Sequence, residues 1–331
     1  LGFIEGNRGN QMRLVIAIVA TLAIAGCDVA GSAPGTPSSA TSAALAARRL
    51  KTPAVIAIDH DSERLLYWPM RKRGSSSPTY LSGRLHIRAM GMVADGHVVT
   101  IASDDPPELL SYNVDTRATS AIADPYGHPR DVAIGKDGTL YALGASDVAV
   151  FPPHSSSYDL SCRYILESTA MAVDNEGDVF VNGLGQKNPA RVVEYPAGSS
   201  RCTKLALKRR EQGEGVGIGV DPKTDDLIVE DGGGCAGGDE GRITVYQRPY
   251  GPKVVARNWL HASCPGGFRL DANSSHLLVT DSYSGLRTHG GVHACGLLWV
   301  DQRLYPTGRG RSLYTAGCAS AVTTIPNTLP N

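Results

Sequence analysis

An all-β wheel of four-stranded blades, a β-propeller, is the fold predicted by three features of this 331-residue sequence. A phrase recurs in which an apolar run, an Asp- or Gly-containing turn and a second β-rich run follow one another. The turn glycines Gly96, Gly138 and Gly177 fall at intervals typical of one blade. Composition agrees, since 38 glycines and 20 prolines against only four phenylalanines suit many short strands and turns better than long helices.

The clearest copies are Met90–Thr100, Asp131–Tyr141 and Ala170–Val181. Looser copies run from Gly217 to Val229 and from Phe268 to Val279. Each supplies an inner strand and its hairpin partner. A third strand follows, as in Val148–Pro152, Val192–Pro196 and Ile243–Tyr246, and then a more polar fourth, as in Leu160–Leu166 and Cys202–Leu207. Four strands per repeat define a propeller blade. At the N-terminal end, Ala54–Asp59 and Arg64–Pro69 match the second and third strands of a repeat with no inner strand ahead of them. Ala319–Ile325 could supply that strand. Five full repeats and this shared one predict six blades, the first closed by the C-terminal strand, with seven blades as the alternative. Such closure removes exposed strand edges.

Ahead of the repeats lies an address. Met12–Cys27 has a basic start and an apolar stretch, Leu14–Gly26, too short to span a bilayer. It has the build of a secretory signal peptide. Ile24-Ala25-Gly26-Cys27 resembles the bacterial lipobox, and the resemblance implies lipidation of Cys27. Asp28, next in the chain, resembles the signal for retention at the outer leaflet of the inner membrane. Residues 1–11 precede Met12 and read as an overextended start, 28–52 as a flexible Ala/Ser/Gly/Thr/Pro tether, 53–325 as the propeller and 326–331 as a tail. Lys+Arg and Asp+Glu balance at 32 each, so no global field draws the chain to nucleic acid.

The repeats resemble the NHL-repeat propellers and the looser gluconolactonase-like and streptogramin-lyase-like group. This resemblance rests on the apolar-Asp-x-x-Gly-β phrasing and implies the fold, while a fold by itself does not carry an activity. In the gluconolactonase-like enzymes acidic and amide side chains hold a divalent metal at the mouth of the central channel. Here the starts of the inner strands offer Arg130, Asp131 and Glu214 as ligand-binding candidates, with Ser168, Thr169 and Ser320 nearby. No clear asparagine partner accompanies them, and the plainer expectation is that Arg130, Asp131 and Glu214 pair across a hydrated channel. Streptogramin-lyase-like enzymes need a general base; His128 precedes an inner strand, but His289 and His293 flank a Gly-Gly pair unsuited to a helical ligand pair.

Asp174-Asn175-Glu176-Gly177 offers oxygen ligands yet fits a hairpin turn with glycine at positive φ. The glycine-rich run Gly232–Gly241 lacks the Lys-Ser/Thr ending of a phosphate loop and reads as a long loop between second and third strands. Besides Cys27 there are Cys162, Cys202, Cys235, Cys264, Cys295 and Cys318. Disulfides suit an exported chain, and a bridge within Cys235, Cys264 and Cys295 is the expectation. Zinc lacks a close Cys-x-x-Cys pair.

The function expected is a non-enzymatic, lipid-anchored, monomeric envelope propeller. It would bind a protein, glycan or small molecule through one loop face, without a cofactor. The alternative is a metal-dependent lactonase or lyase at the channel mouth, with Asp131 and Glu214 as ligands.

Overall fold

The computed structural model describes residues 54–59, 61–71, 74–75, 79–122, 127–184, 190–208, 217–231, 242–259, 265–270, 276–281, 287–288, 291–292, 296–301, 311–314 and 319–325. Cys27 and Glu214 lie outside the described residues, as do the signal, tether and tail segments, His289, His293, the glycine-rich loop and Cys235, Cys264, Cys295 and Cys318.

The chain folds as a β-propeller of four-stranded antiparallel blades. Blade 1 comprises Ala89–Asp95, Val98–Asp104, Pro107–Asn113 and Thr119–Ile122. Blade 2 comprises Asp131–Ile134, Leu140–Leu143, Asp147–Phe151 and Tyr158–Ser161. Blade 3 runs through Glu167–Val173, Val179–Leu184, Ala190–Tyr195 and Thr203–Lys204, and blade 4 through Ile218–Val220, Leu227–Asp231, Arg242–Tyr246 and Val254–Trp259. Blade 5 joins Pro265–Leu270, His276–Asp281, Gly296–Asp301 and Arg311–Tyr314, with a short hairpin, Arg287–Thr288 and Gly291–Val292, paired apart from it. A terminal sheet takes strands from both ends of the chain: Ala319–Ile325 pairs antiparallel with Ala54–Asp59, which pairs with Arg64–Arg71.

Burial on both faces explains why the second strands read as apolar runs instead of strict alternations. In blade 3, Val179 and Val181 pack with Leu143, Val148 and Val150 of blade 2. Phe180, between them in sequence, points the other way and packs with Ile218, Leu227 and Val229 of blade 4. The same sharing recurs at the other junctions. Ala102, Leu109, Val132 and Ala142 join blades 1 and 2. Ile228, Val245, Leu277 and Val279 join blades 4 and 5. Ile56, Ile58, Met92 and Ile101 join the terminal sheet to blade 1. The outermost strands have one covered face at most, hence the exposed, exposed, buried, exposed pattern of Tyr158–Ser161.

Two fourth strands are shorter than their sequence suggests. Where Leu160–Leu166 reads as a strand, pairing stops at Ser161, and a turn with Ile165 N–H on Cys162 O (3.2 Å) follows. Cys202–Leu207 contributes only Thr203–Lys204. Both departures surround one disulfide, Cys162–Cys202, which ties the rim of blade 2 to that of blade 3.

The turn glycines behave as their spacing requires: Gly96, Gly138 and Gly177 all have positive φ, at 55°, 84° and 92°. Here a Cβ would be strained.

Candidate functional site: the axis and the loop-bearing face

Inner strands start at one end of the axis, and the second-to-third strand connections leave at that same end. Those connections lengthen around the ring from Asp105–Pro106 and Gly144–Ser146 to 185–189, 232–241 and 282–295. At the opposite end the hairpins are tight, as at Gly96-His97. One face is therefore rich in loops.

Strand pairing places Ala321, Gly91, Asp131, Ala170, Gly217 and Gly267 at one level of the inner strands. Two residues further along come Thr323, Val93, Ala133, Ala172, Gly219 and Arg269. Small residues dominate because the strands crowd together. A Cβ on Gly91 would lie 2.7 Å from the Asp131 Cα, and one on Gly217 would lie 2.6 Å from Phe268 Cδ1. Asp131 and Arg269 stand out from these two sets, and they meet.

Arg269 donates through Nη2 to Asp131 Oδ1, and through the same nitrogen to Val132 O at 3.1 Å. Its Nε donates to Met92 O at 3.2 Å. One guanidinium from blade 5 thus grips blades 1 and 2. The Asp131 carboxylate, with its side chain only 4% exposed, also accepts from Val132 N–H at 2.9 Å and, across to blade 3, from Met171 N–H at 2.9 Å. Both oxygens are engaged. Beside the pair, toward the loop-bearing face, a void of about 30 Å³ is bordered by Met90, Thr169 and Ser320. It has room for a water or two. On the other side an apolar recess of about 140 Å³ is lined by residues such as Val132, Met171, Ile218 and Leu270.

Arg130 does not join Asp131. Its Nη1 donates to Glu167 Oε1 at 3.0 Å and to Ser168 O at 2.9 Å, tying blade 2 to blade 3 at the rim of the axis. Among the described residues the partner of Asp131 is Arg269, while Glu214, the third member of the expected grouping, lies outside them. Ser168 Oγ donates to the backbone oxygen of Gly144, and Thr169 Oγ1 to that of Asn182 at 3.1 Å. Asn182 Nδ2 donates to Gly217 O at 3.1 Å, from blade 3 to blade 4. His128 lies 3.0 Å from Asp104, on the loop-bearing face.

At the opposite end, Asp174 forms the expected turn, its Oδ1 accepting from the N–H groups of Glu176 (2.9 Å) and Asp178 (2.8 Å). Asp174, Glu176 and Asp178 converge closely enough to hold a cation. The cation present is Arg248 of blade 4, donating to Glu176 at 2.6 Å, Asp178 at 2.7 Å and Asp174 at 3.0 Å. Burial pushes the Asp174 carboxyl up, against the pull of those N–H groups and of Arg248. Burial likewise pushes the Tyr141 hydroxyl up to about 12.

Arg269 lies in the loose copy Phe268–Val279, in which the apolar and turn residues carry the recurring phrase and the arginine does not. The signal available was a long cation at a level where the other repeats carry Thr, Val, Ala or Gly. For the disulfide, the signal was two cysteines in corresponding fourth strands, separated by 40 residues and so by one repeat.

The fold places the chain in the class of β-propellers, and a solved structure is similar in fold. A chain of the nidogen/laminin complex matches with a TM-score of 0.66 at 11% identity, covering 83% of this chain and 99% of that one. A luciferin-regenerating enzyme matches with a TM-score of 0.49 at 12% identity, over 70% of this chain and 83% of that one. No protein-family profile matches the sequence, and neither does any curated protein. At such identities the likeness is one of fold.

Proposed function

We propose that this chain is a six-bladed, lipid-anchored envelope propeller that binds a partner through its loop-bearing face. On this reading the terminal sheet is the sixth blade, stitched from both ends of the chain, and the tether leads back to a lipidated Cys27 at a bacterial inner membrane. The observation that carries the binding role is the occupied axis. With Asp131 held by Arg269 and two backbone N–H groups, and a void of only about 30 Å³ beside them, the described residues at the channel mouth leave little room for a substrate. Recognition then falls to the surrounding loops, where propellers and other scaffolds commonly carry function. The nidogen/laminin neighbour, taken from a protein–protein complex, is in keeping with such a role.

Photo-crosslinking in intact membranes tests the whole reading. A crosslinker at Leu166 or His128, on the loop-bearing face, should give a discrete adduct, and one at Lys136, on the opposite face, should not. Cys27→Ala should release the protein from the membrane fraction. Adducts from Lys136 alone, or turnover of a lactone by the purified protein, would overturn the binding role; retention of the Cys27→Ala variant would overturn the anchor.

A further inference from the structure

Where the terminal sheet meets blade 1, the loop-bearing face opens into a hollow of about 580 Å³, a volume within the ~300–1,000 Å³ typical of small-molecule sites. Its floor is apolar, made by the buried Ile58, Ile87 and Ala89. Its walls carry charge of both signs, from Arg84, His86 and Arg88 on one hand and Glu63 and Asp105 on the other.

The cations are not equally committed. Arg84 is held by Glu63 in a two-point pair, at 2.8 and 3.1 Å. Arg88 reaches no closer than 3.7 Å to Asp104, and His86 no closer than 4.0 Å to Glu63. Both separations exceed a hydrogen bond. Their side chains are 61% and 75% exposed, so both can turn donors to a ligand.

The segment bearing them is nonetheless fixed. Leu85 N–H bonds to Glu63 O at 2.9 Å, and Arg88 exchanges backbone bonds with Asp105 O (2.8 Å) and Asp104 N–H (2.9 Å). Between these anchors His86 sits at φ 56°, facing Glu63 at φ 53°. Left-handed backbone at non-glycine residues persists only where the surroundings over-determine it, a pattern concentrated at binding sites. The inner wall is completed by Ser320.

From this arrangement we infer that the hollow binds a small organic anion bearing carboxylate and hydroxyl groups. Arg88 and His86 take the carboxylate by charge-assisted hydrogen bonds. The carboxylates of Glu63 and Asp105 accept from its hydroxyls, and Ile58 and Ile87 pack against its carbon skeleton. This goes beyond the partner-binding reading, and the two fail separately, because neither Leu166 nor His128 borders the hollow.

Calorimetric titration of the full chain in detergent with citrate tests it, with tricarballylate (citrate without its hydroxyl), glycerol and sulfate as comparisons. Citrate should bind saturably, more tightly than tricarballylate or sulfate, and glycerol should not bind. Arg88→Gln and His86→Asn should each weaken citrate roughly tenfold or more at an unchanged melting temperature. Asparagine is chosen because it tolerates the left-handed backbone at position 86. Absence of saturable citrate binding, equal affinity for sulfate, or unaltered affinity in both variants would overturn the inference. Tricarballylate binding as tightly as citrate would overturn the hydroxyl contacts.

Discussion

Two side chains, Asp131 and Arg269, occupy an axis otherwise lined mostly by glycine and alanine. Breaking a buried ion pair by removing one partner strands the other, and that penalty exceeds the net worth of the pair. Arg269→Met should therefore lower unfolding stability by about 3 kcal/mol, because Asp131 would remain buried with only its two backbone donors. Asp131→Asn combined with Arg269→Met should recover much of that loss. Denaturant titration of the two singles and the double measures it, and a double variant no better than the sum of its parts would mean that the pair acts independently of burial. Neither residue was legible as a partner of the other from sequence, since 138 positions separate them. Asp131 was visible only as an acid at the start of an inner strand. Gly96, Gly138 and Gly177, by contrast, were legible because a tight turn needs positive φ and glycine supplies it at little cost.

Among elements, the blade is the unit that the sequence announced most plainly. Val179-Phe180-Val181 could be read as a central strand because both of its faces are covered by apolar neighbours. Fourth strands gave a weaker signal, having one covered face, and their ends were misplaced around Cys162 and Cys202. The disulfide between those cysteines adds a covalent tie where Leu160 and Ile165 already pack against Val193 and Tyr195. In the loop-entropy view, closing 40 residues stabilises by about 4 kcal/mol. Cys162→Ser with Cys202→Ser should lower the urea midpoint accordingly, with no change in far-ultraviolet circular dichroism before the transition. An unchanged midpoint would show that the reduced, unfolded chain already holds the two rims together.

For the whole molecule, the strand Ala319–Ile325 matters more than its length suggests. It buries Ala321 and Val322 beside the axis and covers the edge of Ala54–Asp59, whose six residues are all buried. Deleting residues 319–331 should expose that edge, lower the melting temperature and cause concentration-dependent association, readable by light scattering. A monomeric deletion variant with the parental melting temperature would refute this role. The repeat period and the missing first inner strand made the pairing legible in advance. The ligand chemistry was less so, because the hollow beside blade 1 draws on residues from 58 to 320 that share no motif.

The same pairing sets a clock on biosynthesis. Strand Ala54–Asp59 is synthesised well before its neighbour Ala319–Ile325, so while the intervening chain is translated one flank of it stays unmatched. Contacts between distant parts of a chain are slow to form. Until Ala319–Ile325 has been made, that flank is an open strand edge, the kind of surface that pairs with other chains when left uncovered.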